Sequence, residues 1–185
     1  MNALVLLADG FEDIEAVTAV DVLRRGGVET TTASTGSSTS VESAHGIPIA
    51  ADAMFADVAG DDWDAIILPG GGKCAESLRG NDAVIKRLQR QKDEGRLICA
   101  ICASPLVLEE AGVIEPDQHV TCYPSCALDM NRQTANVPVV ADGQLVTGQA
   151  PGSALLFALV VLQTLAGEQV ARKVARQMVT DVLDE

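Results

Sequence analysis

Aromatic residues are scarce in this chain of 185 residues: Phe11, Phe55, Trp63, Tyr123 and Phe157 are all it has. Scattered rings in that number cannot build the stacking platform that holds single-stranded nucleic acid. Positive charge is short as well, with 13 Lys and Arg against 26 Asp and Glu and a formal net charge of −13. Such a field repels phosphate backbones and anionic lipid, so neither nucleic acid nor a membrane surface is an expected partner. The longest unbroken apolar run, Ala154 to Leu162, has nine residues, where about 20 are needed to span a bilayer. The apolar stretch after Met1 has no basic segment before it and no cleavage site after it, so it reads as a strand and not as a signal peptide. The expected location is the cytoplasm. No Pro-rich linker, internal repeat or shift of composition marks a boundary, which leaves one domain over residues 1–185 as the expectation.

What is present is apolar material in short pieces. Hydrophobic residues make up 48% of the chain, enough to close one core at this length. Strand-length runs alternate with helical patterns, the signature of βαβ units and a mainly parallel sheet. Strands are expected at 3–8, 28–34, near 47–50, at 65–68, 97–101, 120–122 and 137–140, with 144–147 pairing back across Ala141-Asp142-Gly143. Helices are expected at 12–25, closed by Gly26-Gly27, at 75–94 with a break near Gly80, and at 104–111, 153–165 and 168–183. Residues 35–46, rich in Ser, Thr and Gly, read as a surface loop or hairpin.

The most informative segment is Leu97-Ile98-Cys99-Ala100-Ile101-Cys102-Ala103-Ser104-Pro105. An apolar strand runs into Cys102, then two small residues, then a proline where a first helical turn tolerates one. This is a strand, sharp turn and helix of the nucleophile-elbow kind. At a helix N-terminus the amides of Ala103 and Ser104 favour a thiolate and predict a lowered thiol pKa. Spacing alone leaves two readings open, a reactive thiol or a small buried hydrophobe. Cys99-x-x-Cys102 with Cys122-x-x-x-Cys126 imitates a zinc site in spacing, but Cys99 lies inside an apolar strand where residues three apart face opposite ways. No metal is expected, and Cys74, Cys99, Cys122 and Cys126 read as structural thiols.

Gly70-Gly71-Gly72 after a buried strand suits either a tight turn or a nest of amides for an oxyanion. Glu12, Asp13 and Glu15 open the first helix, where acidic residues complement the dipole, and Glu15 continues to Thr18, Asp21 and Arg25 as a solvated stripe would. His45 and His119 read as surface residues.

Three segments together carry a resemblance. Ala3 to Glu15 (ALVLLADGFEDIE), Ile67-Leu68-Pro69-Gly70-Gly71 and Ala100-Ile101-Cys102-Ala103-Ser104-Pro105 resemble the signature segments of the ThiJ/PfpI superfamily, and the match continues through Thr147 to Ser153. Within it the chain is similar to the bacterial YajL-like branch and to the Parkinson-associated protein deglycase. The resemblance implies a flavodoxin-like three-layer α/β/α sandwich with a mainly parallel sheet and a nucleophile elbow, and a homodimer. It places the nucleophile on Cys102, its carboxyl partner on Glu15 and the oxyanion amides on Gly71 and Ala103, with Gly72, Ser104 and Tyr123 as further pocket residues. A protonated Glu15 beside the thiolate would have its pKa raised, against the solvated-stripe reading. Where many members have a histidine beside the cysteine this chain has Tyr123, which removes the base a peptidase or amidase needs. The implied activity is cofactor-free glyoxalase or deglycase chemistry on a small aldehyde or glycated substrate, with a role in oxidative stress. A redox-responsive chaperone or sensor acting through oxidation of Cys102 is the alternative.

Overall fold

The structure is a computed structural model and describes residues 1–183. Strand β1 (Asn2–Leu7) lies at the centre of the chain's first half and is buried from Ala3 onward. A strand covered on both faces has no polar side to show, hence its unbroken apolar sequence. Helix α1 (Asp13–Arg25) follows, then β2 (Glu29–Ser34), a β3 (Ser40–Glu42) and β4 (Pro48–Ala50) hairpin, β5 (Ala53–Met54) and a short α2 (Phe55–Val58). The chain then crosses to the other side of β1 with β6 (Ala65–Leu68), α3 (Gly72–Arg79), α4 (Asp82–Asp93), β7 (Leu97–Ile101) and α5 (Pro105–Ala111). It ends with β8 (Val139–Asp142), β9 (Leu145–Gly148), α6 (Ala154–Ala166) and α7 (Glu168–Gln177).

The main sheet has the order β5-β2-β1-β6-β7-β9-β8, parallel throughout except for β8 against β9. Helix α6 packs against both α1 and α7, and α3, α4 and α5 pack with one another, giving the helix layers on either side of the sheet. This is the expected flavodoxin-like sandwich. The order reverses direction at β1, so the C-terminal ends of β1 and β6 open a crevice of the kind in which open α/β sheets bind ligands. The loops Ala8–Glu12 and Pro69–Gly71 line it, and the turn after β7 stands beside them. No helix among the described residues is long and apolar enough to cross a membrane.

Several expected elements differ from those observed. Residues 120–122 form no strand: the Thr121 amide donates to the Thr147 hydroxyl (3.0 Å) and the Val120 carbonyl accepts from Ala135, so no ladder forms. The strand expected at 137–140 is shifted to Val139–Asp142, because the two-residue turn at Gly143-Gln144 sets its register against β9. The last helix stops at Gln177, not at Leu183. Val179 takes a left-handed φ of 57° and the Thr180 amide turns back to the Ala175 carbonyl, a C-terminal cap usually built on glycine. Strand β5 and helix α2 were not foreseen, being too short to carry a periodicity. Helix α3 starts at Gly72, three residues ahead of the expected start, because the Ala75 amide already bonds the Gly71 carbonyl.

Candidate active site

Helix α1 carries its side chains in an unexpected order. Ile14 and Val17 are exposed (55% and 51%), whereas Glu15 is 1% exposed and shares the inner face with Ala19, Val22 and Leu23. The solvated-stripe reading of Glu15 therefore fails, and a buried carboxylate needs a reason. Glu12 supplies the entry geometry: it caps the helix, its side chain accepting from the Glu15 amide at 2.8 Å, and its own amide donates to the Gly70 carbonyl at 3.0 Å. Those bonds lock the turn that aims Glu15 at the loop after β6. There its Oε2 accepts the Gly70 amide at 2.7 Å, while Oε1 has no hydrogen-bond partner.

Cys102 meets it from the end of β7. The residue is held at φ 66°, a conformation costing a non-glycine residue of order 1 kcal/mol or more. Three bonds hold it there: its amide donates to the Gly148 carbonyl (3.0 Å), its carbonyl accepts from the Tyr123 amide (2.8 Å), and the Ser104 hydroxyl donates to the Pro69 carbonyl (2.6 Å). A β-carbon on Gly70 would come within 2.6 Å of both Cys102 Cβ and Glu15 Oε2, so the glycine is what lets the two groups face each other. The amides of Gly71 and Ala103 point at the Cys102 sulfur.

Burial pushes the Glu15 carboxyl up to about 7, with the charge of Glu12 adding to it and the Gly70 amide opposing it. All five thiols are likewise raised by burial. The expectation of a simply lowered Cys102 pKa does not survive this. Burial first, and the Glu15 charge next, push that thiol up to about 12, with the Gly71 and Ala103 amides pulling the other way. The two groups are thus coupled: an ionised Glu15 suppresses the thiolate, and a protonated one becomes a donor to it. What sets Cys102 apart is a carboxyl partner together with two amide donors.

The remaining expected residues are placed as follows. Ser104 is fully buried and braces the elbow through Pro69. Tyr123 is 43% exposed and reaches Cys102 through its backbone amide. Gly72 lies at the edge of a polar cavity with Asp9, Gly10 and Lys73. His45 and His119 are paired with Asp13 and Asp142. Glu12, Asp13 and His45 bring ligand atoms within 4.8 Å of one another. Each already has a protein partner: Glu12 caps α1, and Asp13 accepts from the Ser43 hydroxyl and meets His45 Nδ1 at 2.6 Å. Cys99 is wholly buried in β7 between β6 and β9. The sequence reading missed the Glu12 cap, since glutamate is not among the usual capping residues, and the role of Gly70.

Gly71 is the most constrained position of the site, with φ 92° and a β-carbon position 2.1 Å from the Gly10 carbonyl oxygen. Gly71→Ala is expected to cost at least about 3 kcal/mol, since neither backbone can yield without moving the crevice. The shift of the urea midpoint measures it, and a loss below about 1 kcal/mol would contradict this packing.

Residues 1–164 match the model of the DJ-1/PfpI family. Protein dj-1beta of Drosophila melanogaster is 37% identical over 178 residues, covering 95% of each chain. The glutathione-independent glyoxalase DJR-1.2 of Caenorhabditis elegans is 36% identical over 173 residues, covering 91% of this chain and 90% of its own. Among solved structures, oxidized DJ-1 of Toxoplasma gondii superposes with a TM-score of 0.93 at 34% identity, over 97% of this chain and 98% of that one.

Proposed function

Because the chain belongs to the DJ-1/PfpI family, we propose that it is a cysteine-dependent glyoxalase or deglycase, acting on methylglyoxal or on early glycation adducts. The observation that carries this reading is the buried Glu15 facing Cys102, with the amides of Gly71 and Ala103 on the sulfur. A family member named as a glutathione-independent glyoxalase supports the aldehyde chemistry. Within the family, the motif segments of the sequence favour the YajL-like branch. The homodimer is likewise our assignment, with the exposed Ile14 and Val17 of α1 as its natural contact. One domain over residues 1–185 and a cytoplasmic location complete the proposal.

The chemistry needs only the pair and the amides. The single proton shared by Glu15 and Cys102 moves from the sulfur to the carboxyl as the sulfur attacks the aldehyde carbon, and it then passes to the new oxygen, giving a hemithioacetal. Glu15, now ionised, removes the hydrogen from that carbon and returns a proton to the neighbouring carbonyl carbon through an enediol. The first carbon is thereby oxidised and the second reduced, with no external electron acceptor. Water then cleaves the resulting thioester, releasing lactate from methylglyoxal and restoring the thiol. Amide donors at the sulfur also lie where an oxyanion on the attacked carbon develops. The test is lactate formation from methylglyoxal: Cys102→Ser is expected to lose it by at least about 10²-fold. Equal turnover by the serine variant would overturn the reading. A peptidase is disfavoured because both histidines are committed to carboxylates elsewhere.

A further inference from the structure

Beside the crevice runs a second, polar cleft that the reaction just described does not use. One part, of about 450 Å³, borders Gly72, the residue after the Gly71 amide that faces Cys102. The other, of about 230 Å³, lies under the Ser/Gly-rich segment after β2 and is walled by Ser34, Ser37, Ser40 and Ser77. Asp9 and Lys73 line both parts, and Gly72, at the rim of the larger one, ties the cleft to the crevice. Gly10 lets the Lys73 stem lie against the first loop: at φ 82° it has no side chain, and a β-carbon there would press within 2.8 Å of Lys73 Cβ.

The wall is rich in unused hydrogen-bonding capacity. Among the described residues the Lys73 ammonium makes no ion pair or hydrogen bond and the hydroxyls of Ser37, Ser40 and Ser77 have no protein partner; all four side chains are exposed, so a ligand there exchanges only their water. Asp9 uses one carboxylate oxygen on the Glu42 amide (3.0 Å), which holds the β3–β4 hairpin over the cleft, and leaves the other free. Donors and acceptors are therefore both present, with one cation against Asp9 and Glu42. That balance does not suit a phosphate, which two carboxylates and a net charge of −13 would repel. It suits hydroxyl groups, each of which both donates and accepts.

Resting on the aldehyde chemistry proposed above, we infer that this cleft is a subsite for the polyhydroxylated tail of a sugar-derived 2-oxoaldehyde whose carbonyl end lies at Cys102. The size agrees. The smaller part, of about 230 Å³, has room for several water-sized groups and so for a short chain of hydroxylated carbons. Methylglyoxal, with a methyl group in place of the tail, leaves it filled with water.

The experiment compares kcat/KM for a five-carbon 2-oxoaldehyde (a pentosone) with that for methylglyoxal. Lys73→Met keeps the apolar stem over Gly10 and removes the ammonium, and Ser77→Ala removes one hydroxyl. The ratio of the two kcat/KM values is expected to fall about tenfold in Lys73→Met, the scale of one charge-assisted hydrogen bond, and about threefold in Ser77→Ala. A ratio unmoved by both variants, with methylglyoxal still turned over, overturns the subsite and leaves the aldehyde chemistry standing. Should neither aldehyde be turned over, the glyoxalase reading fails by itself. The subsite is then decided by amide shifts on titration with erythritol: shifts at Gly36, Ser37 and Lys73 that vanish in Lys73→Met support it, and their absence overturns it.

Discussion

Glu15→Gln is expected to remove aldehyde turnover by about 10²- to 10⁴-fold, the range for losing a positioned acid–base group, while Cys102 still alkylates at a rate within about threefold of the wild type near pH 7. The carboxamide can accept the Gly70 amide as Glu15 Oε2 does and can donate toward the sulfur, but it cannot pass a proton. The two readouts therefore separate proton transfer from thiol activation. Retained turnover would mean that another group moves the proton. A stability measurement tests the same carboxyl independently. Its pKa is raised from 4.5 to about 7 in the fold. Below pH 4.5 it is neutral in both states; between there and pH 7 the folded protein keeps a proton that the unfolded chain gives up. The stability it contributes is thus present at low pH and is lost as pH rises through about 7, by about 3 kcal/mol as an order of magnitude. Urea midpoints at about pH 5 and pH 8 should show this fall in the wild type and a flatter profile in Glu15→Gln. Equal slopes would place the proton elsewhere.

The sequence announced the sheet more clearly than the site. Strands β1, β6 and β7 are buried on both faces, so their sequences are apolar without interruption and can be read directly. Val120–Cys122 looks the same in sequence, yet its amide and carbonyl go to Thr147 and Ala135, and no local pattern reports a choice between ladder and loop. The elbow was legible because a strand, small residues and Pro105 leave few ways to turn. Glu15 was not legible from its own neighbourhood. An acidic residue in a first helical turn is ordinary, and only the fold shows Ile14 and Val17 outside and the carboxyl inside. The opposition to the thiol's acidity is hidden for a related reason. A helix N-terminus can be read from sequence, whereas the burial that opposes it comes from segments far apart in the chain: Glu12 to Glu15, Pro69 to Gly71, and Tyr123.

Mild peroxide is expected to add two oxygen atoms to Cys102 and to leave Cys99 and Cys74 as thiols. The sulfur attacks one peroxide oxygen, the O–O bond breaks, and the departing oxygen leaves as water after taking a proton, which gives a sulfenic acid; a second peroxide repeats the step to the sulfinic acid. Cys99 and Cys74 are wholly buried and share no such access, whereas Cys102 retains 9% exposure. A disulfide between Cys99 and Cys102 is disfavoured by placement: Cys99 lies wholly buried inside β7, whereas Cys102 lies beyond the strand's end in a left-handed turn facing Glu15. Glu15 can hydrogen-bond one sulfinate oxygen through its proton, and the Gly71 and Ala103 amides can hold the sulfinate, so the product is stabilised before it reaches the sulfonate. Intact-mass and peptide analysis decides the point, because a loss of two hydrogens involving Cys102 would replace this reading with a dithiol one. The same sample separates the two functional classes. Aldehyde turnover must disappear in step with sulfinate formation, because the nucleophile is consumed. A redox-responsive chaperone would gain holdase activity over that interval, and Cys102→Ser would not. A holdase signal that rises with the sulfinate in the wild type alone would make oxidation, and not turnover, the event for which the strained Cys102 turn and its buried carboxyl are built.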